Sequence, residues 1–207
     1  MQIKLNAQSS IKISSNKNIY FDPYLIKEEI HDADYIFITH EHYDHFDIES
    51  INKISNDNTI IILPDSMAIK VIAKLNRNNV RGVKPNEDYN INGLEFSTIP
   101  SYNTNKEFHK KEYNWVGYLV NIDNKIIYVA GDTDITTENK NVKCDIAFLP
   151  IGGTYTMNYQ EAAELTNIIS PSIVIPIHYH TIVGSRDDAN KFKELLNKNI
   201  ECQIIME

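Results

Sequence analysis

Cysteine is scarce in this chain of 207 residues, which contains only Cys144 and Cys202. Two cysteines are too few for a disulfide framework, and neither belongs to a Cys-x-x-Cys pair. The first residues, Met1 to Asn6, also lack the long apolar segment and the small-residue cleavage site of a signal peptide. These absences predict a cytoplasmic protein whose two thiols stay reduced and buried.

Long apolar runs and an excess of positive charge are also missing. No run approaches the ~20 apolar residues that a membrane-spanning helix needs, so we expect no membrane partner. The formal net charge of −8 opposes binding to nucleic acid, which depends on neutralising phosphates. A small anionic substrate is still compatible with this charge, because bound metal ions would reverse the local field.

The remaining composition is that of a globular protein, with 42% hydrophobic and 23% charged residues. A chain of this length can bury one core but is too short for two ordinary enzyme domains. It shows no linker, low-complexity tract or internal repeat. We therefore predict that residues 1–207 form a single domain.

Short segments rich in β-branched residues predict many strands and few helices. The predicted strands cover residues 10–14, 19–21, 35–39, 59–63, 95–100, 115–122, 125–130, 145–150, 172–177 and 200–205. The predicted helices are one with Met67, Ile69, Val71, Ile72 and Leu75 on its apolar face, one starting at Asn158, and one starting at Ser185. This order predicts an α+β fold in which two sheets pack face to face and helices cover their outer faces.

The most informative segment is Thr39 to His45, which follows an apolar strand and contains three histidines and an aspartate. Neutral imidazole nitrogens and carboxylate oxygens are good ligands for borderline metals such as zinc. His40 and His42, two residues apart, can face one point, and Asp44 and His45 can face a second point nearby. The spacing therefore predicts two neighbouring metal ions.

Further candidate ligands come directly after other predicted strands. Asp22 follows residues 19–21, Asp132 follows residues 125–130, and His178 follows residues 172–177. Strand ends that meet at one edge of a sheet are a usual place for a functional site. Asp132 alone is equally compatible with a simple turn, but together with the His-rich loop these residues form a set.

At these residues the chain resembles the metallo-β-lactamase superfamily, and more narrowly the small metal-dependent hydrolases similar to ascorbate-phosphate lactonases. The resemblance spans nearly the whole chain. It rests on Phe21-Asp22-Pro23, on residues 39–45, on Gly131-Asp132-Thr133, on residues 149–153 and on residues 176–179. It implies an αββα sandwich with a dinuclear metal centre at one edge of the sheets.

The resemblance also implies a role for each ligand. His40 and His42 would bind the first metal, Asp44, His45 and His178 the second, and Asp132 would bridge both. Asp22 would order the metal loop through hydrogen bonds. Zinc is the expected cofactor, with one or two ions per chain, and manganese, iron or nickel would also suit these ligands.

One position departs from the family pattern. The third histidine of the first metal is expected in the loop 99–104, where this chain has Asn103. An amide oxygen is a weaker ligand than imidazole. Either His109 folds back to replace the missing histidine, or it is a surface residue in a charged loop. His180 lies close enough in sequence to act as a ligand, a proton carrier or a bystander.

The predicted function is hydrolysis of a small ester, lactone or phosphodiester by a metal-bound hydroxide, which Asp44 or Asp132 would orient. The alternative, motivated by Asn103, is a catalytically degenerate metal-binding protein with a sensing or scaffolding role. Several loop residues are candidate substrate contacts or simply structural: Tyr43, Tyr102, Tyr155 and Tyr179 as pocket walls, Lys106, Lys110 and Lys111 as phosphate attractants, and Gly152 to Thr154 as oxyanion donors.

Overall fold

Two β-sheets form the centre of the fold. The computed structural model describes residues 1–68, 75 and 79–206, and within these residues six strands form the first sheet. Its strands, in spatial order, are β1 (Gln2–Leu5), β2 (Ile11–Ser14), β3 (Asn18–Phe21), β4 (Ala33–Phe37), β5 (Ser55–Pro64) and β6 (Val80–Val83). β1, β2 and β3 pair in antiparallel fashion, whereas β3, β4, β5 and β6 run parallel.

The second sheet repeats this mixed arrangement with seven strands in the described part of the chain. Their spatial order is β13 (Glu201–Cys202), β12 (Ile173–Ile177), β11 (Ile146–Pro150), β10 (Lys125–Val129), β9 (Val116–Ile122), β8 (Leu94–Pro100) and β7 (Asp88–Ile91). β10 to β13 run parallel, and β7 to β10 pair in antiparallel fashion.

Helices cover the outer faces of both sheets. α1 (Ile48–Ile54) packs on the first sheet, and α2 (Tyr159–Ile169) and α3 (Arg186–Glu194) pack on the second. Three apolar clusters separate these layers: one between the two sheets, and one under the helices on each side. The predicted αββα sandwich is therefore confirmed. Within the described residues, no helix combines the length and apolar character needed to cross a membrane.

Most predicted elements are present, with boundaries that differ by a few residues. α2 begins with a capping box, because the Asn158 side chain accepts from the backbone of Glu161 and the Glu161 side chain accepts from the backbone of Asn158. The predicted strand at residues 200–205 is shorter, covering only Glu201–Cys202. Among the strands and α-helices of the described residues, four were not predicted: β1, β6, β7 and α1.

The predicted helix after β5 is only partly described. Its middle residues Ile69, Val71 and Ile72 lie outside the described residues. Met67 and Leu75 are helical and buried against the outer face of the first sheet.

The parallel strands bring the candidate ligands to one edge of the sandwich. β3 ends immediately before Asp22, and β4 ends two residues before Thr39. β10 ends three residues before Asp132, and β12 ends immediately before His178. Since the carboxyl ends of parallel strands share an edge, these side chains converge although they are distant in sequence.

Candidate metal centre

Asp22 and Thr39 form a buried hydrogen-bond network beneath the His-rich loop. Asp22 accepts from the Thr39 backbone N–H at 2.8 Å, from the Thr39 hydroxyl at 2.7 Å and from His45 Nδ1 at 2.7 Å. The Thr39 hydroxyl oxygen in turn lies 3.0 Å from His40 Nδ1, so it can accept from that nitrogen. The network holds the Nδ1 atoms of His40 and His45, and it leaves their Nε2 atoms pointing towards Asp132.

Three histidines and Asp132 form the first cluster. His42 Nδ1 lies 3.1 Å from His40 Nε2 and 3.2 Å from His109 Nε2. Asp132 Oδ2 lies 3.2 Å from His109 Nε2 and 3.9 Å from His40 Nε2. A ring nitrogen can donate or accept only one hydrogen bond, so His42 Nδ1 cannot satisfy both neighbouring rings. Lone pairs that converge in this way suit a shared cation.

His109 belongs to this cluster and is not a surface residue. Only 1% of its surface is exposed, and its backbone adopts a left-handed conformation with φ of 56°. Asn103, at the position where the family pattern has histidine, is also buried, but its amide nitrogen binds protein groups. It donates to the carbonyls of Phe108 at 3.0 Å and Tyr155 at 2.7 Å, and it lies 3.2 Å from His109 Nδ1.

Asp44, His45 and His178 form the second cluster beside the first. Asp44 Oδ2 lies 3.3 Å from His178 Nε2 and 3.6 Å from His45 Nε2. Asp132 also reaches this cluster, because its Oδ2 lies 3.2 Å from His178 Nε2 and its Oδ1 lies 3.3 Å from His45 Nε2. Asp132 is therefore the side chain that the two clusters share.

The two clusters differ in charge. Burial is the main reason that the pKa of His40 lies well below its usual range, and the neighbouring His45 lowers it further. Burial also lowers the pKa of His42, with a second contribution from His109. Both rings are therefore neutral and present lone pairs. In the second cluster burial lowers the pKa of His178, but Asp132 and Asp44 outweigh this effect and raise it to about 9. The carboxylates at this point therefore attract a cation, whether a proton or a metal ion.

The carboxylates are ionised despite their burial. Burial would raise the pKa of Asp132, yet His178 and His45 hold it well below its usual range. Burial also opposes ionisation of Asp44, while His178 and His45 lower its pKa to about 2. Two buried anions within reach of four imidazole rings are costly unless a cation compensates them.

The geometry of both clusters fits metal ions. A tetrahedral ion with ligands at roughly 2.0–2.2 Å keeps its ligand atoms roughly 3.3–3.6 Å apart. The candidate ligand atoms in direct contact are 3.1 to 3.9 Å apart, and within each group all of them lie within 4.8 Å of one another. In addition, His45 Nε2 and Asp132 Oδ1 are buried and have no hydrogen-bond partner. All six predicted ligands, with His109 as a seventh, fall into these two groups.

Two residues whose side chains contact the candidate ligands were not predicted from the sequence. The buried ring of Trp115 packs against His40 and His42, with centroids 4.8 and 5.0 Å away. Gln8 is buried, and its side-chain amide donates to Asp44 at 3.4 Å. Its backbone carbonyl accepts from the backbone N–H of His178 at 3.0 Å. Neither residue carries a metal-binding signal in the sequence, because each acts by contact with ligands that are distant in the chain.

His180 lies outside both clusters. It is exposed, and its Nε2 accepts from Arg186 Nε at 2.8 Å. Of the two alternatives for the glycine turn, Gly153 fits the structural one, because its N–H donates to the carbonyl of Met157 at 3.0 Å. Tyr102 and Tyr179 are buried in the structure and do not line the cavity at the site.

A cavity of about 220 Å³ opens over the two clusters. His42, Asp44, His109, Asp132 and His178 line its inner part, and the side chains at its mouth are Tyr43, Phe108, Tyr155 and Ile182. The candidate ligands therefore face a space that a small molecule can enter.

The sandwich and the two histidine-aspartate clusters at its edge define a class of protein, the metal-dependent hydrolases of metallo-β-lactamase fold. The chain belongs to the β-lactamase superfamily domain family, which matches its residues 2–178.

Relatives of similar length support this assignment. A UPF0173 metal-dependent hydrolase of Nanoarchaeum equitans is 32% identical over 216 aligned residues, which cover 99% of this chain and 96% of the relative. A UPF0173 metal-dependent hydrolase of Pyrococcus abyssi is 28% identical, with the same coverage of 99% and 96%. The structure of Igni18, a metallo hydrolase from Ignicoccus hospitalis, superposes with a TM-score of 0.81 at 23% identity, covering 99% of this chain and 94% of that one. This last similarity supports the fold alone.

Proposed function

We propose that this protein hydrolyses a small ester, lactone or phosphodiester with the help of two metal ions bound at the two clusters. The observation that supports the proposal is that two complete ligand groups share Asp132 directly beneath a small-molecule cavity. The first group is His40, His42, His109 and Asp132, and the second is Asp44, His45, His178 and Asp132. Zinc suits ligand groups of nitrogen and oxygen, as do manganese, iron and nickel.

Ions bound here would supply Lewis acidity, which lowers the pKa of water towards neutrality and polarises a carbonyl or phosphoryl oxygen. Asp44 is suited to orient the attacking water and later to accept a proton, because it faces the cavity and is 7% exposed. Asp132 is better suited to hold both clusters together, since it is more deeply buried and contacts histidines of each. Asp22 and Thr39 keep the rings of His40 and His45 in position.

The alternative of a catalytically degenerate metal-binding protein with a sensing or scaffolding role was suggested by the missing histidine at position 103. His109 places an imidazole in that cluster, which removes the reason for expecting a degenerate site. We further propose a cytoplasmic location and a small-molecule substrate. The two cysteines, which are both free thiols, support this location, and the size of the cavity supports this substrate.

The test begins with elemental analysis of protein purified without chelator, followed by assays with 4-nitrophenyl esters, lactones and bis(4-nitrophenyl) phosphate. We expect metal-dependent turnover that chelation abolishes and added zinc restores. Asp132→Ala should remove metal from both clusters, whereas His109→Ala should weaken metal binding at the first cluster alone. His180→Ala is the matched control, since His180 is exposed and pairs with Arg186.

Two results would contradict the proposal. A metal content far below one ion per chain after supplementation would show that the clusters do not bind metal. Wild-type turnover in the Asp132→Ala protein would show that the shared carboxylate has no part in the reaction.

A further inference from the structure

The mouth of the cavity is apolar, and this property bears on the choice of substrate. Phe108 is 49% exposed, Tyr43 is 64% exposed and Ile182 is 40% exposed, although all three are large hydrophobic or aromatic side chains. Together with Tyr155 they surround the opening above the two clusters. Exposed apolar side chains that gather around one concave site are typical of a binding surface.

The aromatic part of this mouth is held in a defined arrangement. The rings of Phe108 and Tyr155 meet edge to face, with centroids 4.8 Å apart and an interplanar angle of 83°. The buried amide of Asn103 donates to the backbone carbonyls of both residues, at 3.0 Å for Phe108 and 2.7 Å for Tyr155. One side chain therefore fixes two aromatic residues of the mouth together with the neighbouring His109.

The same surface offers no lysine or arginine side chain to an anionic group. Among the described residues, no lysine or arginine lines the cavity. The three lysines of the adjacent loop are each paired with a carboxylate: Lys106 with Asp134, Lys110 with Glu107 at 3.5 Å, and Lys111 with Glu138 at 2.8 Å. Sites that recognise phosphate or carboxylate groups usually supply an unpaired arginine or lysine for that purpose.

From these observations we propose that the substrate is an uncharged ester or lactone that carries an apolar chain or an aromatic ring. This inference rests on the proposed hydrolytic function and selects one substrate class within it. The carbonyl group would lie over the two clusters, and the apolar substituent would lie between Phe108, Tyr155 and Ile182. An anionic group at the same position would lose its hydration without gaining an ion pair. The cavity of about 220 Å³ also favours a substrate smaller than a typical drug-sized ligand.

The test compares two esters with the same leaving group and the same five-carbon acyl chain, 4-nitrophenyl pentanoate and mono(4-nitrophenyl) glutarate, with each rate corrected for spontaneous hydrolysis. They differ mainly in the terminal methyl group and carboxylate. We expect kcat/KM to be at least about tenfold higher for the pentanoate, and to rise from the acetate to the pentanoate as more apolar surface is buried.

The variant Phe108→Ala tests whether the mouth of the cavity causes the preference for the apolar ester. Phe108→Ala should lower kcat/KM for the pentanoate by about tenfold and for the acetate by less, with an unchanged metal content. Leu195→Ala is the control, because Leu195 is similarly exposed at 47% but lies at the end of α3. It should behave like the wild type.

A binding measurement keeps the inference separate from the proposed function. Calorimetry of the metal-loaded protein with the mono-4-nitroanilides of pentanoic and glutaric acids should show tighter binding of the uncharged compound, even without turnover. Equal or better binding and turnover of the glutarate compounds, or a preference for bis(4-nitrophenyl) phosphate, would overturn the substrate class while leaving hydrolysis intact. Absence of metal-dependent turnover of every substrate would instead contradict the proposed function.

Discussion

The loop that carries Asn103 and His109 is closed by its own backbone. The Asn103 N–H donates to the carbonyl of His109 at 2.7 Å, and the left-handed backbone of His109 turns the imidazole inwards. The Asn103 side chain adds a bond to Tyr155, which lies 52 residues further along the chain. Asn103, which stands where the family pattern has a histidine, therefore holds His109 in place.

This arrangement yields a prediction for position 103. Asn103→Ala should weaken metal binding at the first cluster on the order of 10- to 100-fold, as loss of a residue that supports a ligand usually does. Asn103→His should also weaken it, because histidine cannot replace both amide hydrogen bonds in a buried space beside His109. Competition titrations with a metal chelator would measure both effects.

Asn105→Ala is the matched control, since Asn105 lies in the same loop but is exposed. Its metal affinity should equal that of the wild type. A gain in metal affinity in Asn103→His would show that the loop accepts a histidine there, and that the amide network is dispensable.

The residues of the site that could be predicted from the sequence are those with a local signal. Four ligands lie in one short loop, and Asp132 and His178 each follow an apolar strand. The sequence could not show whether Asn103 or His109 completes the first cluster. The answer depends on the path of the loop, which is fixed by the hydrogen bond from Asn103 to the carbonyl of Tyr155. Gln8 and Trp115 were missed for the same reason, since their contacts with the site are tertiary.

At the scale of elements, the central strands were predictable and the edges were not. β5 contains a continuous apolar stretch, which identifies a strand buried on both faces. β1, β6 and β7 lie at sheet edges, and several of their side chains are exposed, so pairing with a neighbouring strand determines their structure more than their own sequence. α1 was missed because it is short and contains three isoleucines, which favour helix only weakly.

The turn after β11 supports the strand end that carries His178. A Cβ added at Gly152 would collide with the carbonyl oxygen of His178 and with Val183. Gly152→Ala should therefore displace His178 and reduce both metal affinity at the second cluster and turnover. The overpacking should also cost on the order of 1–3 kcal/mol in the free energy of unfolding.

Gly93→Ala provides the comparison for this prediction. Gly93 lies in a turn with φ of 85°, and a Cβ there would meet no atom within 4 Å. The substitution should lower the free energy of unfolding through backbone strain and leave metal affinity unchanged. Equal metal affinity in both variants would show that Gly152 does not hold His178 in place. Denaturant unfolding and chelator competition would separate the two effects.

For the molecule as a whole, the fold and the site depend on different interactions. Apolar side chains form the cluster between the sheets and the clusters under the helices. Examples are Phe21, Phe37 and Tyr118 between the sheets, and Phe192 on the inner face of α3. The candidate ligands lie on loops at one edge, beyond the ends of the strands. Burial of the apolar clusters supplies the main driving force for folding, so the sandwich does not require a metal ion to form.

Metal removal should accordingly lower stability without unfolding the protein. An ion present at 100 times its dissociation constant stabilises the native state by about 2.7 kcal/mol. In a domain of this size each kcal/mol shifts Tm by roughly 2–4 °C, so chelation should lower Tm by about 5–11 °C for each ion that it removes. The shift should shrink as pH falls, because protons compete with the metal for the imidazoles and carboxylates. Differential scanning calorimetry with and without chelator, at pH 6 and pH 8, would measure it. The circular dichroism spectrum at 25 °C should stay unchanged on chelation, and its collapse would mean that the metal ions, and not the apolar clusters, hold the two sheets together.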